Sequence, residues 1–183
     1  MSLATFLGRL VGRLDAAAVP YMVTGSVASA FHGLPRTTAD VDVVIDVDRE
    51  ALDRLLARLH DADFYVNPHD ALDALRRHGV FNAVDRDTGW KADLFVQQGR
   101  PFSREELRRR STVDLLGVPV SVASAEDCIL SKLEWATKTP SERQLRDAAG
   151  IVAVQGSALD LAYLDRWAHE LGVSEPWNRI RSA

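Results

Sequence analysis

From Asp40 to Asp46 the sequence alternates without a break, with Val41, Val43 and Ile45 on one side and Asp40, Asp42, Val44 and Asp46 on the other. A period of two is the mark of a strand with one buried face, and the other face of this strand carries carboxylates. Upstream, Tyr21-Met22-Val23 is a short apolar strand running into Thr24-Gly25-Ser26. The small residues from Val27 to Phe31 then form a closely packed helix that Gly33 and Pro35 stop. Downstream, residues 48–61 repeat apolar positions at Ala51, Leu52, Leu55, Leu56 and Leu59, the spacing of a helix laid on a sheet. Strand, tight turn, helix, strand and helix in this order predict an α/β (α+β) chain.

Leu3, Phe6, Leu7, Leu10, Val11 and Leu14 recur at helical spacing and define an amphipathic first helix ending near Pro20. A weaker helix is expected over 68–78. Residues 79–87 and 90–97 read as a hairpin turning at Asp87-Thr88-Gly89, and 111–122 as another turning at Leu116-Gly117. Ser103-Arg-Glu-Glu106 predicts a capping box for a short basic helix. Beyond Val122 the pattern is helical. Ser124-Ala-Glu-Asp127 opens one helix, Thr139-Pro-Ser-Glu142 the next with Pro140 in its first turn, and a last helix covers 159–172. The expected organisation is a core over 1–122 and a C-terminal helical segment, 123–183, packed on it.

With 183 residues and 46% hydrophobic content, the chain can bury one substantial core. The 22 basic and 26 acidic residues give a net charge of −4, which excludes coating nucleic acid by bulk charge and leaves local contact only. The lone Cys128 supports neither an internal disulfide nor a thiolate metal cluster, and Arg9 and Arg13 break the apolar amino terminus, so a cytoplasmic chain without signal peptide or membrane span is expected.

Asp40 and Asp42, two apart on a strand, project from one face with alpha carbons roughly 6–7 Å apart. Such a pair suits a hard cation such as Mg²⁺, which takes oxygen ligands from a few carboxylates, water and phosphate; it equally suits a plain solvated face. Gly25-Ser26 at a strand-to-helix turn offers backbone N–H groups and a helix dipole to an anion, although Ser26 also makes an ordinary helix cap. Asp93, in Lys91-Ala-Asp-Leu-Phe-Val96, needs a partner among packing residues. A third carboxylate beside the first two would allow phosphoryl or nucleotidyl transfer; a salt bridge to Lys or Arg is the alternative.

The stretch Val23-Thr-Gly-Ser through Pro35-Arg-Thr-Thr-Ala-Asp-Val-Asp-Val-Val-Ile45 resembles the pattern hydrophobic-Gly-Gly/Ser, then Arg-x-Thr-x-Asp-x-Asp-hydrophobic, of the nucleotidyltransferase fold superfamily. The segment Ala125 to Leu133, with Lys132, and Arg143-Gln-Leu-Arg-Asp147 is similar to the helical part of AbiEii-type toxins of type IV toxin–antitoxin pairs. The last thirty residues have no counterpart. The resemblance implies that Gly25 and Ser26 bind phosphates, that Asp40, Asp42 and Asp93 are catalytic ligands of Mg²⁺ (or Mn²⁺), and that Asp93 helps deprotonate the attacking hydroxyl. It further implies a mixed sheet flanked by helices, and that Arg36, Lys132 and Asp147 serve the nucleotide site. Lys132 on its helix alone would also fit a solvent face opposite Ile129, Leu133 and Ala136, and Arg36 a surface charge. The implied activity moves a nucleoside monophosphate from an NTP to a hydroxyl, with tRNA the leading acceptor and an antitoxin protein as partner. A small-molecule (aminoglycoside-like) or protein acceptor and a silent nucleotide-binding module are the rivals. His32 reads as a packed histidine and Arg108-Arg109-Arg110 as a solvated face, since consecutive residues diverge around a helix.

Overall fold

The computed structural model describes residues 2–62 and 64–182. They divide into two compact units, residues 1–24 with 38–122, and residues 25–37 with 123–183. The segment after the first strand thus groups with the C-terminal helices rather than with its sequence neighbours.

The first unit carries the whole sheet. Its strands are β1 (Tyr21–Val23), β2 (Asp40–Ile45), β3 (Phe64–Val66), β4 (Val80–Asp85), β5 (Lys91–Val96), β6 (Ser111–Leu115) and β7 (Val118–Val122), in the spatial order β3-β4-β5-β2-β1-β7-β6. The pairs β2/β5 and β1/β7 are parallel and the other four antiparallel, so the sheet is mixed. The alternation of β2 and β5 is realised: Val41, Val43, Ile45, Ala92, Leu94 and Val96 are buried, while the residues between them are half-buried. Helix α1 (Leu3–Ala16), capped by Ser2, buries Phe6, Leu7, Leu10, Val11 and Leu14. Phe6 stacks on Trp90 and leans on Phe64, joining the helix to the β4–β5 turn and to β3. Asp48 caps helix α3 (Arg49–His60), which turns Ala51, Leu52, Leu55 and Leu59 inward. The 111–122 hairpin closes at Leu116-Gly117, with φ of 58° and 82°. Positive φ at both central residues is the two-residue turn that follows the right-handed strand twist.

The second unit is helical. It comprises α2 (Gly25–His32), numbered by chain order, with α6 (Ala125–Lys138), α7 (Glu142–Gln155), a single 3₁₀ turn (Gly156–Ala158), α8 (Leu161–Glu170) and α9 (Ser174–Arg181). Ser124 caps α6 as expected: its Oγ accepts from Asp127 N–H at 3.1 Å and donates to Asp127 Oδ2 at 2.6 Å. Asp127 Oδ1 accepts from Tyr163 Oη at 2.6 Å, which ties α6 to α8 around a fully buried carboxylate.

Several local expectations are corrected. The basic helix α5 (Pro101–Arg109) starts with Pro101 in its first turn, and Ser103 is buried inside it, accepting from Arg100 Nε, instead of capping. Pro in the first turn sets φ and removes an N–H that would have no helical partner. Helix α7 begins at Glu142 with Pro140 outside it, because Thr139 still closes α6. The short β3 and the terminal α9 carry too few periodic residues to have been read from the sequence. Within α9, Trp177 is 1% exposed and its Nε1 donates to Asp165 Oδ1 at 2.6 Å.

Candidate active site

The sheet unit gathers the carboxylates. In the parallel β2/β5 pair, Asp42 lies directly opposite Asp93 and Asp40 opposite Lys91. On the other side of β5, the antiparallel register sets Asn82 opposite Asp93 and Val84 opposite Lys91. Residues two apart on a strand share a face. One face therefore carries the row Asn82, Asp93, Asp42 and, next to it, the row Val84, Lys91, Asp40.

Side chains follow this grid. Lys91 Nζ stands 3.0 Å from Asp93 Oδ1 and 3.6 Å from Asp40 Oδ2. Asn82 Nδ2 also donates to Asp93 Oδ1. Thr38 Oγ1 donates to Asp40, at 3.0 Å to the backbone oxygen and within 3.2 Å of Oδ1. The Asp93 hydrogen bond, helped by the charges of Asp93 and Asp40 and opposed by burial, raises the Lys91 pKa above its ordinary 10.5, so this amine is a fixed cation at neutral pH. Thr24 N–H donates to Asp42 O at 2.9 Å, holding the end of β1 against the start of β2.

The helical unit gathers the other candidates into one chain of contacts. Gly25 opens α2 with φ 61°, a conformation glycine adopts without a Cβ penalty. Ser26, in the first turn, accepts from Arg36 Nη2. Arg36 Nε donates to Asp147 Oδ2 at 3.3 Å, and Lys132 Nζ donates to the same oxygen at 3.0 Å. Lys132 is 6% exposed, so the solvent-face alternative for it does not hold. Asp147 on α7 faces two cations, which leaves a net positive charge in a partly buried network ending at the α2 amino terminus. His32 is packed: its Nε2 bonds to Ala123 O at 2.7 Å, and burial lowers its pKa.

Among the described residues, no group of three or more Asp, Glu, His or Cys side chains is gathered into a metal cage. The donor set still fits one hard cation. Mg²⁺ is commonly held by one or two carboxylates with phosphate and water oxygens completing the shell, and Asp42 and Asp93 stand opposite each other on adjacent strands.

Lys91, Asn82 and Thr38 were not singled out in the sequence. Lys91 was within reach, because a residue two before Asp93 on the same strand must share its face. Asn82 required the hairpin register. The basic helix keeps a solvated face, with Arg104 and Arg108 exposed. Arg104, Arg108 and Arg110 line one cleft of about 310 Å³ with Asp46 and Gln97. Arg104 and Arg108 are one helical turn apart, a spacing that the run of three consecutive arginines obscured. Asp46 and Gln97 follow the last residues of β2 and β5, so this cleft lies at the strand ends remote from Asp40 and Lys91.

No protein-family model and no curated protein sequence matches the chain. Solved structures do. An antigenic nucleotidyltransferase-like protein from Paracoccidioides brasiliensis superposes with a TM-score of 0.58 at 22% identity, covering 93% of this chain and 90% of that one. ANT(2")-Ia, in complex with adenylyl-2"-tobramycin, superposes with a TM-score of 0.60 at 14% identity, covering 92% and 95%. The fold is the nucleotidyltransferase fold. On this fold the α/β expectation, with a mixed sheet, flanking helices and a helical C-terminal part, is met. No described helix is long and apolar enough to cross a membrane.

Proposed function

We propose that the protein is a metal-dependent nucleotidyltransferase that moves a nucleoside monophosphate from an NTP to a hydroxyl acceptor. The observation that carries this reading is the register of β2 and β5, which sets Asp42 against Asp93 with Asp40 on the same face of a nucleotidyltransferase-fold sheet. A divalent cation, Mg²⁺ or Mn²⁺, bound by Asp42 and Asp93 beside Asp40 would supply charge neutralisation for the triphosphate. The resemblance supports phosphate binding by Gly25 and Ser26 at the start of α2, and Arg36 and Lys132, held by Asp147, supply fixed positive charge within their own unit. In the reaction the acceptor oxygen bonds to the α-phosphorus and the bond from that phosphorus to its bridging oxygen breaks. Pyrophosphate leaves with the bonding pair, and the hydroxyl proton passes to the Asp93 carboxylate.

An RNA acceptor, with tRNA foremost through the resemblance to AbiEii-type toxins, is supported by the cleft of Arg104, Arg108 and Arg110. That role implies a growth-inhibiting protein of the cytoplasm with an antitoxin partner. The likeness to ANT(2")-Ia, solved with adenylyl-2"-tobramycin, supports a second reading in which the acceptor is a small polyhydroxylated molecule.

Incubation with each α-labelled NTP, Mg²⁺ and either total tRNA or tobramycin tests both. Label is expected on tRNA, and Asp42→Ala is expected to lower its rate on the order of 100-fold, or about 2.7 kcal/mol of barrier, with an unchanged thermal melt. Label on tobramycin alone would transfer the assignment to the second reading. Nucleotide binding with no labelled acceptor of any kind would leave a silent binding module.

A further inference from the structure

In the carboxylate grid one position is already filled by a cation. Lys91 lies directly across from Asp40 and two residues before Asp93, so the strand itself holds its side chain on the face where those carboxylates project. Its ammonium bridges them at 3.6 Å and 3.0 Å. Thr38 occupies the other oxygen of Asp40, and Asn82 shares the Asp93 oxygen that Lys91 contacts.

We propose that Lys91 is a built-in substitute for the second cation of a two-metal site, so that this face takes a single divalent ion. This rests on the nucleotidyltransferase reading above and narrows it. Two-metal sites hold their ions about 3.5–4 Å apart, clamped by shared carboxylates. The ammonium sits between the carboxylates of Asp40 and Asp93. A second divalent ion held by Asp40 and Asp93 would have to displace this ammonium from between them, at the cost of both ion pairs. Lys91 is 38% exposed and opens β5, where its backbone is paired with Asp40 on one side and Val84 on the other. Its charge therefore arrives with the folded chain and needs no loading from solution.

Metal stoichiometry tests this without turnover. The full-length protein, with one equivalent of a non-hydrolysable α,β-methylene NTP analogue, is titrated with Mn²⁺ while the electron paramagnetic resonance signal of free Mn²⁺ is followed. The wild type is expected to bind one Mn²⁺ per chain, Lys91→Met two and Lys91→Arg one. Thermal melts of the three, expected to agree within a few degrees, show that the variants fold. Two ions in the wild type, or one in Lys91→Met, would overturn the role of Lys91 and leave the transferase reading standing. No ion in the wild type would remove the metal from that reading, and this inference with it.

Discussion

Asp147 accepts from both Arg36 and Lys132 through one oxygen, and this asymmetry sets what each residue can do. A carboxylate between two cations organises them and does not cancel them, so the surplus charge remains for an anionic ligand. His32, by contrast, is half-buried and neutral. Burial lowers its pKa from the ordinary 6.5, against the opposing Ala123 hydrogen bond and the charge of Glu126. The unfolded chain then takes up this proton before the folded one does. The stability tied to His32 is complete above pH 6.5 and is lost as the pH falls from there toward the lowered folded-state value. Urea unfolding at pH 7.5, 6.5 and 5.5 is expected to show a steeper acid loss for the wild type than for His32→Gln. Parallel slopes would count against the neutral packing of this ring.

At the scale of elements, β2 and β5 position the site and were legible because each alternates in a strict period of two. The alternation put Asp40 and Asp42 on one face, and the resemblance gave them, with Asp93, their role. The chain through Ser26, Arg36, Asp147 and Lys132 was not legible from spacing; it needed the resemblance, since its members come from α2, the loop after it, α6 and α7. Ser103 misled because Ser-x-x-Glu suits a capping box and a helix interior alike, and Pro101 decided between them. Helix α5 also bears on the acceptor. Arg104→Glu with Arg108→Glu reverses charge on the cleft side of the helix, and both side chains are exposed. Fluorescence anisotropy with labelled tRNA is expected to give about tenfold weaker binding and a salt slope reduced by about two, with NTP binding unchanged. Unaltered RNA affinity would take this cleft out of the acceptor site.

For the molecule as a whole, the two units are interleaved along the chain, which passes from the sheet unit into residues 25–37, back at 38, and out again at 123. Helix α2 buries Val27, Ala28 and Ser29. A Cβ on Gly33 would stand 2.9 Å from the backbone nitrogen of Ile151, so that packing is closed down to the main chain. A fragment ending at Val122 keeps every strand but strips α2 of α6 and α7. Limited proteolysis is expected to cut this fragment first within residues 25–37, a segment that resists cleavage in the full chain. Equal protection in both would contradict the grouping.

The same closeness of Gly33 to Ile151 bears on how the protein is made. A ribosome adding about 5–20 residues per second needs on the order of ten seconds to travel from one to the other. Throughout that interval the apolar side of α2 exists without the helices that cover it. The nascent chain therefore carries an uncovered helix, and a chaperone that shields short apolar helices would have its main opportunity on this protein before residue 151 emerges.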